Sequence, residues 1–319
     1  MYDVIGIGEP CMDMNVNVPT FPRPNGGAKV QELSWQGGGK VSSGMVAAAR
    51  LGVRGAMIAA VGEDNYGAFC RKDFERHGID ASRVVVRPGE TTSLSIVLSD
   101  YETGGRSILY NNGTAQGITP EELDWAAIRD SRYLFITEIS PTTLAAMDCI
   151  HDAGGKVFID ADGYSQDMMD HIAQLDLFVA SEFVYNTLFG DERFEENCRS
   201  VLAMGPEVVV FTLGERGCVG ISREEGFFRL PAFSVPVRDT VGAGDVYHGG
   251  FLAGWLMGLS LRETARFASA VAAIKCTRIG GRAGIPDRPT VERFLREGVI
   301  DYTEIDQRVK FYQRGLEHV

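Results

Sequence analysis

The segment Asp239-Thr240-Val241-Gly242-Ala243-Gly244-Asp245, running directly into the helical pattern VYHGGFLAGWLMG, carries the strongest chemical signal in the chain. Small residues that open a helix leave backbone N–H groups around the positive end of the helix dipole, where an anion such as a phosphate is favoured. Asp245, in the first turn, is suited to accept a proton from an attacking hydroxyl, although an acid at that place also serves as an ordinary cap. A second glycine-rich segment, Gly37-Gly38-Gly39-Lys40-Val41-Ser42-Ser43, reads as a flexible turn before a small-residue helix, letting backbone and Ser43 approach a polar ligand. A third, VVVFTLGERGC over 208–218, is a strand running into a glycine turn, as at the carboxyl end of a parallel strand. The fourth, KCTRIGGRAGIP over 275–286, carries Arg278 and Arg282, which could serve nucleotide phosphates or a helix C-terminus.

Other signals are excluded. Gly6-Ile7-Gly8 lacks the third glycine of a dinucleotide fingerprint, because Cys11 stands there, and no G-x-x-x-x-G-K-[ST] string occurs. The five histidines show no triad or metal spacing, and His248, three residues after Asp245, could assist chemistry but reads better as a residue packed on the helix. The six cysteines are scattered without a CxxC pair, which points to buried free thiols rather than to disulfides or zinc.

Elements that could position these segments follow from pattern. Short β-branched runs (Val4–Gly8, Ala56–Val61, Tyr133–Ile136, Lys156–Asp160, Leu177–Ala180, Val208–Thr212) alternate with helical patterns (Ser42–Leu51, Gly67–His77, Thr142–Ala153, Asp245–Met257, Leu261–Lys275, Thr290–Arg296). That alternation predicts an α/β fold with a mostly parallel sheet between helices. Two regions break it: Met12–Val18 with Lys29–Trp35, and Ser93–Leu98 with Arg106–Tyr110, the latter joined by the turn Glu102-Thr103-Gly104-Gly105. Strand pairs without crossover helices imply a small separate sheet, either edge hairpins or a lid. The 319 residues include 38 glycines, and the net charge of −12 argues against nucleic acid or an anionic membrane as partner. The N-terminus has no basic leader and no apolar run reaches membrane-spanning length, so a cytoplasmic address is expected.

Together the DTVGAGD string, GGGKVSSGMVAAARLG and the intervening FTLGERG resemble the PfkB (ribokinase-like) family of carbohydrate kinases over nearly the whole chain. The resemblance implies one three-layer α/β/α kinase domain over 1–319 with a β-sheet lid from about 12–35 and 90–112, which also implies a homodimer clasped through the lid. It implies ATP and Mg2+, with K+ as an optional cofactor, and a small sugar as acceptor. Asp245 matches the catalytic base, and Gly242, Ala243 and Gly244 match the anion hole for the γ-phosphate. Asp13, Gly38, Gly39, Lys40, Ser43, Arg106 and Asn112 are the implied sugar-side residues. Ser181, Thr212, Gly214, Gly217, Ser269 and Gly280 are implied on the ATP side. Asp239, Val241, Lys275, Arg278, Gly280 and Gly284 match a monovalent-cation site, and Glu182 is the implied magnesium residue.

Three departures bear on substrate and metal. Ser43 replaces an asparagine common in the family; Ser181-Glu182-Phe183-Val184 replaces its Asn-x-x-Glu, so that Glu182, Asp160 or Asp162 must compensate; and Cys11 replaces a polar residue near the sugar, against ribose. The stretches KCTRIGGRAGIPD and DADGYSQDM are similar to bacterial sulfofructose kinase, but only Lys29, Lys40 and Arg106 are available as cations and Glu138 opposes an anionic sugar. The expectation is therefore phosphorylation of a primary hydroxyl of a neutral ketose or related polyol. A sulfofructose kinase, a nucleoside kinase and a catalytically silent sugar-binding regulator are the alternatives.

Overall fold

The computed structural model describes residues 1–100 and 105–316. Residues 102–104 of the expected hairpin turn lie outside the described residues. In chain order, β1 (Tyr2–Ile7) leads to β2 (Cys11–Val18), β3 (Glu32–Gly38), α1 (Lys40–Arg50), β4 (Gly55–Gly62), α2 (Asn65–Arg76), β5 (Val84–Arg87), β6 (Ser93–Asp100) and β7 (Arg106–Asn111). There follow α3 (Trp125–Arg129), β8 (Ser131–Ile136), α4 (Pro141–Asp152), β9 (Lys156–Ala161), α5 (Gln166–Asp170), β10 (Leu177–Ala180), α6 (Glu182–Leu188), α7 (Phe194–Leu202) and β11 (Val208–Thr212). The chain ends with β12 (Cys218–Ser222), β13 (Gly226–Leu230), α8 (Ala243–Leu256), α9 (Leu261–Lys275), α10 (Arg288–Glu297) and α11 (Thr303–Gln313).

Among the described residues the large sheet has nine strands, ordered β13-β12-β11-β10-β9-β8-β1-β4-β5, parallel from β11 to β5 with β12 and β13 added antiparallel. Alternate residues of its strands enter two separate cores. Phe135, Phe158, Val179 and Val210 pack with α1, α8 and α9 on one face, whereas Leu134, Ile159, Phe178 and Phe211 pack with α4, α6 and α7 on the other. Burial on both faces is why these strands read as continuous apolar runs rather than as alternating ones. β1 sits between β8 and β4, so the chain leaves it in opposite directions, a topological switch point where ligands bind beyond the strands' carboxyl ends.

The small sheet has the order β3-β2-β6-β7. The two expected strand pairs are joined into one sheet by parallel pairing of β2 with β6. The second strand of the first pair is displaced along the chain, β3 running from Glu32 to Gly38 rather than from Lys29 to Trp35, while β2 starts one residue earlier than expected, at Cys11. Gly37 and Gly38 are not in a turn as expected but within β3, opposite Met12 and Cys11. They are glycines because neighbours crowd them: a Cβ on Gly37 would meet Arg282 Nη1 at 2.0 Å, and one on Gly38 would meet the Asp13 carboxylate at 2.3 Å. Only Gly39, at φ 93°, makes the turn into α1.

Candidate active site

Three adjacent parallel strands bring polar groups to, or just beyond, their carboxyl ends. β9 ends on Asp160 and Ala161 with Asp162 beyond, β10 on Ala180 before Ser181, and β11 on Thr212. Opposite them α8 begins at the glycine loop. Gly242, at φ 69°, starts the helix, and Gly244 is exposed with open space where a Cβ would stand. The Ala243 amide is committed to the Thr240 carbonyl at 3.1 Å, tightening the turn. Close helix packing fixes this end: a Cβ on Gly249 of α8 would come 2.0 Å from the Gly44 carbonyl of α1, so both glycine-rich helices meet directly.

Asp245, Asp160, Asp162 and Lys40 form one electrostatic cluster. Burial, reinforced by the Asp160 charge, pushes the Asp245 carboxyl well above the ordinary carboxylate range, while His248 and Lys40 oppose the shift. Burial likewise raises Asp160, Asp162 adding to it. Asp160 has no solvent exposure, and neither of its carboxylate oxygens has a hydrogen-bond partner among the described residues. Lys40 Nζ lies 3.0 Å from Asp162 Oδ2. His248 is buried with its ring nitrogens at the Gly244 and Val179 carbonyls, 2.7 and 3.2 Å away, and its Nδ1 also lies 3.4 Å from Asp160 Oδ1, so it borders the acidic cluster as well as packing on the helix.

Of the residues expected to meet the sugar, Asp13 stands on β2 with Cys11 Sγ 3.2 Å from its Oδ1. Burial raises its carboxyl, with Cys11, Arg282 and Ser95 working against the rise. Gly38 packs on Asp13, and Gly39 and Lys40 start α1. Ser43 is buried, its hydroxyl 3.4 Å from Arg282 Nε, so it faces a protein cation. Arg106 donates to the Thr240 hydroxyl at 3.2 Å, linking β7 to the glycine loop. Asn112 is exposed and its carbonyl accepts from the Ser93 hydroxyl at 2.7 Å.

Of the residues expected on the ATP side, Ser181 caps α6 and donates to the Asp162 carbonyl at 2.9 Å. The Thr212 hydroxyl approaches the Ala180 carbonyl at 3.4 Å, and Gly214 and Gly217, at φ 56° and 90°, turn the chain into β12. Ser269 bonds within its own helix, to the Ala265 carbonyl at 2.9 Å. Glu182 is engaged by Arg216, 2.5 Å from its Oε1, an ion pair that draws it to the rim.

The six residues expected to hold a monovalent cation are together, but differently used. Lys275 Nζ donates to the Asp239 carbonyl at 3.0 Å and to the Val241 carbonyl. The Lys275 carbonyl accepts from the Arg278 amide at 3.1 Å, and Gly284 is packed against it. The Asp239 carboxylate accepts from the Val241 and Gly280 amides at 2.9 and 2.8 Å.

Neither arginine of that segment faces the cleft as a phosphate ligand. Arg278 pairs with Asp306 at 2.8 Å and lies over the Tyr302 ring, while one Nη donates to the Thr277 carbonyl. Arg282, fully buried, pairs with Asp73 at 2.7 Å and donates to the Gly38 carbonyl at 2.9 Å. Sequence reasoning missed this pair, although Asp73 lies four residues after Phe69 and three after Cys70, on the apolar face of α2. It also missed Gln36. Its amide donates to the Ile279 carbonyl at 3.0 Å and its oxygen accepts from the Arg282 and Ala283 amides at 2.7 and 2.9 Å.

Comparison with known proteins agrees with this geometry. The family model for pfkB family carbohydrate kinases matches residues 1–288. An ATP-dependent ribose-1-phosphate kinase from Halopiger xanaduensis is 29% identical over 93% of this chain and 99% of its own. A ribokinase structure from Thermotoga maritima superposes with a TM-score of 0.77 at 26% identity, over 93% of this chain and 100% of that one. A candidate ribokinase II from E. coli, solved with ATP and Mg2+, gives a TM-score of 0.81 over 93% and 99% at 21% identity, which shows the shared fold. With that match and the glycine loop, the aspartate and the switch-point cleft in one place, the chain belongs to the pfkB family of carbohydrate kinases and is a phosphotransferase.

Proposed function

We propose that this kinase transfers the γ-phosphoryl group of ATP to a hydroxyl, primary by preference, of a neutral ketose or related polyol. The observation that carries the reading is Asp245, placed in the first turn of α8 where Gly244 leaves the helix end open and held among Asp160, Asp162 and Lys40. Asp245 accepts the acceptor's proton, and the helix dipole with the amides of Gly242 and Gly244 stabilises the charge that develops on the transferred phosphoryl, the Ala243 amide being spent on the Thr240 carbonyl. Asp13 orients the sugar, and the small sheet acts as a lid that excludes water. ATP lies along Ser181, Thr212, Gly214 and Gly217, with Ser269 and Gly280 toward its base.

Magnesium, when bound, neutralises the β- and γ-phosphate oxygens. The buried carboxylate of Asp160, which accepts no hydrogen bond among the described residues and has His248 Nδ1 3.4 Å from its Oδ1, suits that role, with Asp162 beside it, better than Glu182, which Arg216 engages. A neutral acceptor is supported by the commitment of nearby cations: Lys40 to Asp162, Arg282 to Asp73 and Arg106 to Thr240. Glu9, whose carboxyl is raised by burial and by the Glu138 charge, adds negative potential at the same end of the sheet. A sulfosugar would meet that potential without a free cation from this set.

Two copies are proposed to associate through the lid. Ile108, Leu109 and Tyr110 on edge strand β7 are 50, 57 and 74% exposed, an apolar edge that pairing would cover. Sedimentation of the wild type and of Leu109→Lys measures this. For the activity, ADP release is measured against ketoses, sugar acids, sulfosugars, polyols and nucleosides. Asp245→Asn is expected to lower kcat by roughly a thousandfold or more while retaining ATP binding. Near-normal turnover in that variant refutes the assignment, and tight sugar binding without turnover by the wild type establishes the silent regulator instead.

A further inference from the structure

Lys275 closes α9 with a side chain that has no solvent exposure. A buried ammonium is disfavoured unless polar atoms complete its shell. Here, among the described residues, the shell is made of main-chain oxygens, those of Asp239 and Val241. The Asp239 carboxylate does not pair with it, being turned to the Val241 and Gly280 amides. The Arg238 and Asp239 amides in turn donate to the Cys276 carbonyl, at 2.8 and 3.1 Å. The end of α9 thus holds the 238–241 stretch from both its donor and its acceptor sides. The next residue is Gly242, whose left-handed backbone opens α8 and orients the loop ahead of Asp245.

Two carbonyl oxygens converging on a compact positive charge are as suited to an alkali-metal ion as to an ammonium. We infer that the Lys275 ammonium is a built-in cation: a positioning residue that holds the carbonyls of the 239–241 turn, and through them the glycine loop, in the shape that receives a phosphate. The kinase then requires no monovalent metal ion. The inference rests on the reading of residues 242–244 as the phosphate-holding loop.

The test compares KCl, NaCl and tetramethylammonium chloride at constant ionic strength, reading the thermal midpoint, ATP affinity by calorimetry, and ADP release with the best acceptor. The wild type is expected to agree within about twofold in every salt, since no site is left for the ion to fill. Lys275→Ala vacates the carbonyls; it is expected to bind ATP roughly tenfold more weakly in tetramethylammonium and to recover affinity and thermal midpoint in KCl or NH4Cl. Lys275→Met fills the volume without the charge, so its weakened ATP binding is expected in all salts without rescue. A wild type that needs K+ for its ATP affinity, a Lys275→Ala protein indifferent to the salt, or a Lys275→Met protein that matches the wild type overturns the inference. If Lys275→Ala fails to fold in every salt, the wild-type series and Lys275→Met decide. Thermal midpoint and ATP affinity need no acceptor, so absence of turnover with the whole panel counts against the proposed reaction and leaves this inference separately measurable.

Discussion

Gly38→Ala offers a direct measure of how closely the sugar-side wall is built. Gly38 lies in β3 and needs no left-handed backbone, so alanine is conformationally acceptable there. The obstacle is steric: the new Cβ would stand 2.3 Å from Asp13 Oδ2 and 2.4 Å from its Cγ and Oδ1. Restoring an ordinary contact of 3.4 Å requires the carboxylate to withdraw by about 1.1 Å. A misplacement of about 1 Å in a positioning group lowers the rate by roughly a hundredfold, or about 2.7 kcal/mol of transition-state stabilisation. The assay is kcat/KM for the acceptor, with the KM for ATP as internal control, on protein whose thermal midpoint confirms folding. The acceptor value should fall and the ATP value should hold. A cycle with Asp13→Ala isolates the route, because once the carboxylate is gone the alanine at 38 should add little. Unchanged kcat/KM in folded Gly38→Ala, or an equal loss on top of Asp13→Ala, refutes the reasoning.

Three further outcomes are expected. Asp160→Asn should raise the Mg2+ concentration for half-maximal turnover by about tenfold or more, read from a magnesium titration of the rate. Asp73→Asn leaves Arg282 buried without its counter-charge; the loss of about 3–5 kcal/mol should lower the thermal midpoint by roughly 10 °C. His151 accepts a raised pKa chiefly from its hydrogen bond to Asp176, 2.9 Å away, with burial opposing. A folded-state value above the unfolded one makes its stabilisation complete below the ordinary value of 6.5 and lost as pH rises through the raised value. Denaturant midpoints of wild type and His151→Gln should therefore diverge at acid pH and converge at alkaline pH.

Much of the fold was legible because the parallel strands are buried on both faces, leaving runs such as VVVFT that no surface element would carry. β12 and β13 were not recognised, since CVGIS and GFFRL are brief and their antiparallel edge pairing leaves no crossover helix to announce them. Short helices such as α5 and α6 are defined by their serine caps, too few residues for a periodic signal. In the site, DTVGAGD was readable because its chemistry is main-chain and local. What escaped were partners distant in sequence. Arg282 looked available for a phosphate because nothing in its neighbourhood announced Asp73, and GGG looked like a turn because two of its glycines are explained only by side chains packing on them from elsewhere. Lys275 was expected among the ligands of a monovalent cation, whereas its ammonium donates to the Asp239 and Val241 carbonyls, remote from it in sequence.

The hydrogen bonds of Gln36 constrain how the small sheet can travel. Anchored at the root of β3 to the 279–283 segment, the sheet has an axle there and cannot slide bodily over the cleft. Its accessible motion is a swing, and displacement grows with distance from the pivot. Glu32 is four residues out, about 13 Å along an extended strand; a rotation of about 10° would carry that point by roughly 2 Å and would have to break its ion pair with Arg238, 2.9 Å long. Asp13, directly across from Gln36 in the strand register, sits almost on the axle. If Asp13 orients the acceptor and the sheet opens as a lid, as proposed, that group would stay nearly still, whereas Arg106, on the outer strand, would part from Thr240 early. On the proposed reading, sugar recognition and access to the phosphate loop would then be mechanically separable, the first at the hub and the second at the rim.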